Sequence, residues 1–314
     1  MKQSTDNGPD ETSLPDNYAQ ALEQGWLPIR EVARQTGVNA VTLRAWERRY
    51  GLVVPQRTPK GHRLYSAEHV QRILAILTWL NRGVSVSQVK QLLDAQQPIA
   101  SQPESDWDTL RQALLQAISQ LAERKVDETF NQAMALYPPR TLCEQLLLPL
   151  LAELERRWQG HFGAQLEQVF FYSWLRSKFG ARIYYNNRQL HGAPLLLVNQ
   201  SDVPMEPHLW LTAWLISSAD CPVEIFDWPV PVGELALAVE YLQPRGVLLY
   251  SSKSLNLPLL PRLLANIACP KLISGPTVRI HFDELSVCTT EIDGLTLAED
   301  PLTAQAELQR LGLI

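Results

Sequence analysis

Between Leu27 and Tyr65 the sequence spells two short helices separated by a glycine, then two extended runs around a Pro-Lys-Gly turn; few folds accept that order. Pro28–Val38 (PIREVARQTGV) reads as a helix stopped by Gly37, the residue suited to the left-handed backbone that ends helices. Asn39 can cap a second helix, Ala40–Arg49. Helix, glycine turn, helix is a helix-turn-helix signature. Ile29, Val32 and Ala33 give the first helix an inner face, and Val38, Val41 and Leu43 pack the turn and the second helix. That phase puts Thr42, Arg44, Arg48 and Arg49 outside, where Thr and Arg reach base edges or phosphates in a major groove. Val53–Tyr65 then predicts a two-stranded wing with Arg57, Lys60 and Arg63 near its tip. Tyr50, His62 and Tyr65 border this surface as further contacts or as packing residues. Trp46 fits packing better than base contact. Two more helices follow: Ala67–Asn81, with Val70, Ile73, Leu74, Leu77 and Leu80 inward, and Val86–Leu93.

The charge distribution agrees with that placement. Residues 26–96 hold eleven Lys and Arg against four Asp and Glu, a net of +7, which leaves −12 for the rest of a chain of net charge −5. A basic module on an acidic body suits DNA binding joined to sensing, because phosphate neutralisation supplies most non-specific affinity. Chance clustering gives the same arithmetic, so charge alone does not decide. Cys143, Cys221, Cys269 and Cys288 lie far apart, which argues against a zinc knuckle or a disulfide framework and for a reducing, cytoplasmic setting. The polar start of the chain is not a signal peptide, and no apolar run is long enough to cross a bilayer, so no membrane partner is expected. No phosphate-cradling glycine loop, nucleophile elbow or metalloprotease motif occurs, and the chain does not read as an enzyme.

The module boundaries follow from texture. Residues 1–25 read as a disordered tail, 26–96 as the DNA-binding module, 97–106 (QPIASQPESD, ending at Asp106) as a linker. Residues 107–188 carry helical periodicity in four helices, broken near Lys125, at Pro138–Pro139 and at Gly160–Gly163. From 189 to 314 short apolar runs alternate with helix-length segments. Strands are expected at Leu195–Val198, Val223–Asp227, Val247–Tyr250 and Lys271–Ser274, then a pair at Val278–Phe282 and Ser286–Thr290, and a closing helix at Thr303–Leu311. The fold class is therefore mainly α plus α/β: winged helix-turn-helix, helical bundle, then a doubly wound parallel sheet. Such sheets hold ligands beyond the carboxyl ends of their strands.

The run VARQTGVNAVTLRAWERRYGLVVPQRTPKGHRLYSAEHV resembles the MerR family almost continuously over the helix-turn-helix and wing. TLRAWERRYGL and RTPKGHRLY look like its subgroup of MlrA-type and CarH/LitR-like regulators. The resemblance implies a homodimer on double-stranded promoter DNA that bends and untwists the duplex, acting on RNA polymerase indirectly. Deformation of that kind is read as energy. Many members continue into a long dimerisation helix; Pro98 and Pro103 interrupt that path, which moves dimerisation to the C-terminal region.

The C-terminal part resembles the cobalamin-binding module of the CarH/LitR group, with departures. That group carries a Trp followed some ten residues later by Glu-His; Trp158 is followed by Glu167-Gln168. The group's Asp/Glu-x-His-x-x-Gly supplies the lower cobalt ligand; Glu206-Pro207-His208 keeps acid and imidazole, but Leu211 replaces the glycine. Ser251, and Ser274-Gly275 where a Gly-Gly would lie, complete the comparison. The resemblance offers His208 as a metal ligand, to the cobalt of cobalamin alone, with Glu206 orienting it. Leu211 crowds the loop that must approach the cofactor's nucleotide tail. The expectation is a degenerate scaffold with no cofactor; a cobalamin-dependent, light- or ligand-sensing switch is the alternative.

Overall fold

The computed structural model of the chain describes residues 18–94 and 106–314, apart from 161, 232, 265 and 266. The expected linker, save Asp106, and the tail up to residue 17 lie outside the described residues. The end of that tail is structured. Tyr18–Glu23 forms a short helix, α1, whose Ala21 is buried and accepts a hydrogen bond from the Trp26 amide. The described residues fall into two compact units. The first runs to Leu110 and includes Phe130–Thr141; the second comprises Arg111–Thr129 and Leu142–Ile314.

In the first unit, β1 (Leu27–Pro28) leads into α2 (Ile29–Thr36), which ends at Gly37 with φ 70°. Asn39 then caps α3 (Ala40–Ala45): its Oδ1 accepts from the Thr42 amide at 2.8 Å. The recognition helix continues as a π-helical turn over Trp46–Tyr50 and stops at Gly51 with φ 56°. β2 (Gln56–Arg57) and β3 (Arg63–Tyr65) form the wing, closed by a Thr58–Gly61 turn with Pro59 at its second position. β1 joins them, giving the strand order β1-β3-β2, so β3 is central. α4 (Ala67–Asn81) and α5 (Val86–Asp94) follow as expected. On α4 the inward residues are Ile73, Ile76 and Leu80, whereas Leu74 is exposed, contrary to the sequence reading. Phe130–Thr141 adds Tyr137, whose ring centroid lies 4.1 Å from that of Trp107 and whose hydroxyl accepts from the Val86 amide.

The start of α4 carries a pH-sensitive cap. The Ser66 Oγ accepts from the His69 amide, and the Ser66 amide donates to His69 Nδ1 at 3.0 Å. His69 also hydrogen-bonds the Val54 backbone; burial nonetheless holds its pKa below the ordinary 6.5. The cap needs an unprotonated Nδ1. A depressed imidazole pKa leaves stability intact above the unfolded value and removes it as pH falls through that value toward the folded one. Acidification from pH 7 to 5 is expected to cost about 1 kcal/mol here, the ordinary worth of an N-cap. Thermal melts of the wild type and His69→Gln should differ in pH dependence across that range; parallel profiles would contradict the assignment.

In the second unit helices precede a parallel sheet. They are α6 (Asp106–Ser119), α7 (Glu123–Leu136) and α8 (Pro139–Leu142), each divided between the two units, then, after a π turn at Cys143–Leu147, α9 (Leu148–Trp158), and α10 (Ala164–Asn187). The first break falls at Leu121, whose φ is 53°, rather than at Lys125. Arg111–Glu153 and Lys178–Asp127 ion pairs join helices within this unit.

Five strands, β4 (Leu195–Asn199), β5 (Val223–Phe226), β6 (Gly246–Tyr250), β7 (Lys271–Ser274) and β8 (Leu295–Ala298), pair in parallel in the order β5-β4-β6-β7-β8. β4, β6 and β7 are buried throughout, as a sheet covered on both faces requires. Leu196, Val198, Val247 and Leu249 belong to a core built with α12 (Leu235–Leu242), α13 (Leu260–Leu264, after a 3-10 turn at Leu257–Leu259) and α15 (Phe282–Glu291). α11 (Pro207–Ser218) and α16 (Pro301–Arg310) pack against each other and the sheet. The strand pair expected at Val278–Phe282 and Ser286–Thr290 is instead helical, as α14 (Thr277–Ile280) and α15. Its core-facing residues Val278, Leu285, Cys288 and Ile292 recur at helical spacing. The fifth strand, β8, lies beyond them. All four cysteines are free thiols.

Candidate nucleic-acid interface

The recognition helix presents a different face from the one the sequence suggested. Thr42 is completely buried, whereas Val41 is 60% exposed, so the two exchange places. Thr42 is therefore removed from the contact surface. Its hydroxyl has no partner, and its amide is bound to the Asn39 cap. Arg48 and Arg49 are exposed, and Arg44 and Tyr50 are half-buried. Trp46 points inward: it is fully buried, and its indole Nε1 donates to the Leu136 carbonyl at 2.8 Å.

On the wing, Arg57, Lys60 and His62 are exposed. The tip is held by backbone bonds from the Thr58 amide to the His62 carbonyl and from Gly61 to Thr58, and the His62 amide donates to Thr58 Oγ1. Gly61 has φ 82°, which favours a glycine at that corner. Tyr65 is buried because β1 covers the far side of β3, pairing Leu27 with Tyr65. Burial first, then the charge of Glu47, pushes its phenol up to about 12. A buried phenol does not reach a phosphate, so Tyr65 also leaves the contact set. Arg63 is largely withdrawn into an ion pair with Glu47, which also binds Arg57. In the sequence Glu47 is one of four acids in residues 26–96, and a lone carboxylate among arginines gives no signal of its partners.

The residues compared with a cobalamin site all lie in the second unit. Trp158 and Glu167 come together: the indole Nε1 donates to Glu167 Oε2 at 3.4 Å, and Arg157 pairs with the same carboxylate. Gln168 hydrogen-bonds Tyr172, which packs edge-on against Trp158. Glu206 does not orient His208. Its Oε1 accepts from Ser252 Oγ at 2.5 Å, and Ser201 also bonds it; burial raises its carboxyl pKa despite those bonds. His208 is held below the usual imidazole range by burial, against the opposing charge of Asp300. Leu211 lies inside α11 rather than in a loop, contrary to the sequence expectation; it is completely buried, and the helix is buried from Leu209 to Ser217. The loops after β4 and β6, where the strand order reverses, are tied together by Ser252 N donating to Ser201 Oγ, while Asn199 bonds the Val203 carbonyl and Ser201 amide of its own loop and the Asp227 carbonyl after β5. Ser251 Oγ is bound to the Lys253 carbonyl, while Ser274 Oγ is buried without a partner. Tyr250 is seated on Gly275 so closely that a Cβ there would come within 2.8 Å of the ring and 2.5 Å of the Ser251 carbonyl. Of the expected cobalamin set, His208 therefore lacks the orienting carboxylate, because Glu206 is bound to Ser252 and Ser201, and Tyr250 is packed against Gly275. Among the described residues no group of three or more His, Cys, Asp and Glu is placed to hold a metal ion, and no helix is long and apolar enough to cross a membrane.

Residues 27–96 match the model of the MerR HTH family regulatory proteins, and residues 110–183 match the B12 binding domain. The HTH-type transcriptional regulator MlrA of Escherichia coli K12 is 30% identical over 203 residues, covering 63% of this chain and 78% of that protein. The HTH-type transcriptional repressor CarH of Myxococcus xanthus is 28% identical over 141 residues, covering 42% of this chain and 47% of that protein. A cobalamin-binding protein from Desulfitobacterium hafniense DCB-2 aligns in structure with a TM-score of 0.34 and 16% identity, covering 64% of this chain and 97% of that one.

Proposed function

The chain belongs to the MerR family of helix-turn-helix regulators, and from that premise we propose that it controls transcription by binding double-stranded promoter DNA through the recognition helix and wing of its first unit. One observation carries this reading. Arg48 and Arg49 on the helix and Arg57 and Lys60 on the wing are exposed cations on two elements of one compact unit. A helix in a major groove with flanking cations on phosphate is the geometry that reads sequence. The protein acts as a homodimer, assembled through its C-terminal region, that distorts the duplex and thereby affects RNA polymerase in the cytoplasm. It is a regulator rather than an enzyme. The second unit keeps the cobalamin-type scaffold for assembly or another effector, a reading supported by Tyr250 packed on Gly275, by Leu211 buried in α11, and by Glu206 committed to Ser252 instead of His208.

The test uses the full chain and a duplex selected by it in vitro from a random-sequence pool. Arg44→Ala is expected to cost about 1–3 kcal/mol and to relax sequence preference. Lys60→Ala should weaken selected and random duplexes alike and reduce the salt slope by about one. Fluorescence anisotropy across a salt series reads both. Unchanged affinity in both variants contradicts the reading.

A further inference from the structure

Glu47 is the single carboxylate between Ala40 and Tyr65, a stretch with six Lys and Arg. It stands on the recognition helix, yet both of its partners are on the wing. Arg57 Nη2 donates to Oε1 at 2.7 Å and Arg63 Nε to Oε2 at 2.5 Å. The two arginines are direct cross-strand neighbours in the β2–β3 pair. Like charges at opposed positions destabilise a hairpin, and the shared carboxylate offsets their repulsion by bonding both. Its side chain is 11% exposed and that of Arg63 18%, whereas Arg57 is 48% exposed. Burial alone would raise the Glu47 pKa; the bonds from Arg63 and Arg57 outweigh it and hold the group below the usual carboxylate range.

We infer that Glu47 is the positioning residue of the DNA interface: it fixes the wing against the recognition helix, holding Arg63 as an internal strut and Arg57 as a half-exposed contact. The inference rests on the DNA-binding reading and adds a prediction whose sign simple electrostatics reverses. Removing a negative charge from a cationic face strengthens binding to any duplex through phosphate attraction. Removing the residue that sets the spacing of two reading elements instead weakens binding to the preferred sequence, because phosphate contacts fix register and base contacts depend on it.

The experiment measures Glu47→Gln in the full chain against the duplex selected by the wild type and against a random-sequence duplex, over a salt series. The selected duplex is expected to lose about tenfold or more in affinity, the scale of one good base contact, while the random duplex binds as before or better. Arg63→Gln should reproduce that loss of selectivity, and the double variant should lose less than the product of the two, as residues in one network do. Arg57→Gln should weaken both duplexes alike. Selected-duplex affinity in Glu47→Gln equal to or above that of the wild type overturns the inference, as do losses that multiply in the double variant. If Glu47→Gln fails to fold by circular dichroism, Arg63→Gln carries the test: lost selectivity supports the inference and retained selectivity overturns it. A wild type that selects no duplex sinks the DNA-binding reading itself, whereas a selective wild type with a neutral Glu47→Gln sinks only the clamp.

Discussion

Trp46→Ala is expected to lower the stability of the DNA-binding unit by about 3–5 kcal/mol, the range for deleting a buried large aromatic. The side chain is completely buried and sits where the recognition helix passes into its π turn. Two losses combine. The indole's volume is left as a cavity in the core of the unit, where Leu43, Leu52 and Leu64 are also almost wholly buried. The part-buried Leu136 carbonyl also loses its donor, a loss of about 1 kcal/mol. A small domain has about 5–15 kcal/mol in total, so the variant should populate unfolded forms at growth temperature and lose DNA binding through that route. Trp46→Phe separates the effects: most of the volume stays, and the missing hydrogen bond should cost about 1 kcal/mol. Urea denaturation of the three proteins measures both steps. In Trp46→Phe, DNA affinity corrected for folded fraction should equal that of the wild type, since the ring faces the core and not the groove. A loss under about 1 kcal/mol in Trp46→Ala, or a specific affinity defect in Trp46→Phe, would place the indole in recognition.

How far such features could be read in the sequence depended on how local their causes are. Gly37, Asn39 and the Thr58–Gly61 turn act through their own backbone, and the structure has them where the sequence placed them. The sequence exchanges Thr42 and Val41 when Val38 is taken in phase with the helix. It precedes the Asn39 cap, so it carries no information about the helical phase; the helix itself turns Thr42, Leu43 and Trp46 inward. Tyr65 was misplaced because its cover, β1, is two residues long and has no periodicity. The segment Val278–Thr290 alternates apolar and polar residues over a short span, which fits a strand, but its helical spacing shows only when Leu285, Cys288 and Ile292 are taken together. β8, four residues after Gly294, was too short to be distinguished from a loop. The Glu47 clamp was illegible for a different reason: ten and sixteen residues separate the acid from its partners, and hairpin register decides which arginines meet it.

The full chain, equilibrated in the dark with adenosylcobalamin and then passed through gel filtration, is expected to retain no corrin absorbance. The reason is packing. Leu211 is completely buried at the position where the resembling group has glycine, and Tyr250 fills the seat over Gly275. Moving each of these side chains out of its site costs about 1.5–3 kcal/mol in lost burial. Displacing both therefore costs roughly 3–6 kcal/mol, which weakens a nanomolar site near −12 kcal/mol by about two to four powers of ten, to tenths of a micromolar at the low end and tens of micromolar at the high end. Nothing on the lower face offsets that. A neutral imidazole is the form that ligates metal, and His208 is held neutral. The carboxylate beside it in sequence, however, is bound to Ser252 and does not orient it. Leu211→Gly alone should not restore binding, because Tyr250 and the Glu206–Ser252 bond remain. A stoichiometric corrin band in the wild type that disappears in His208→Ala would show that α11 and the loop after β6 open to admit the cofactor. The second unit would then be a working cobalamin sensor rather than a filled scaffold.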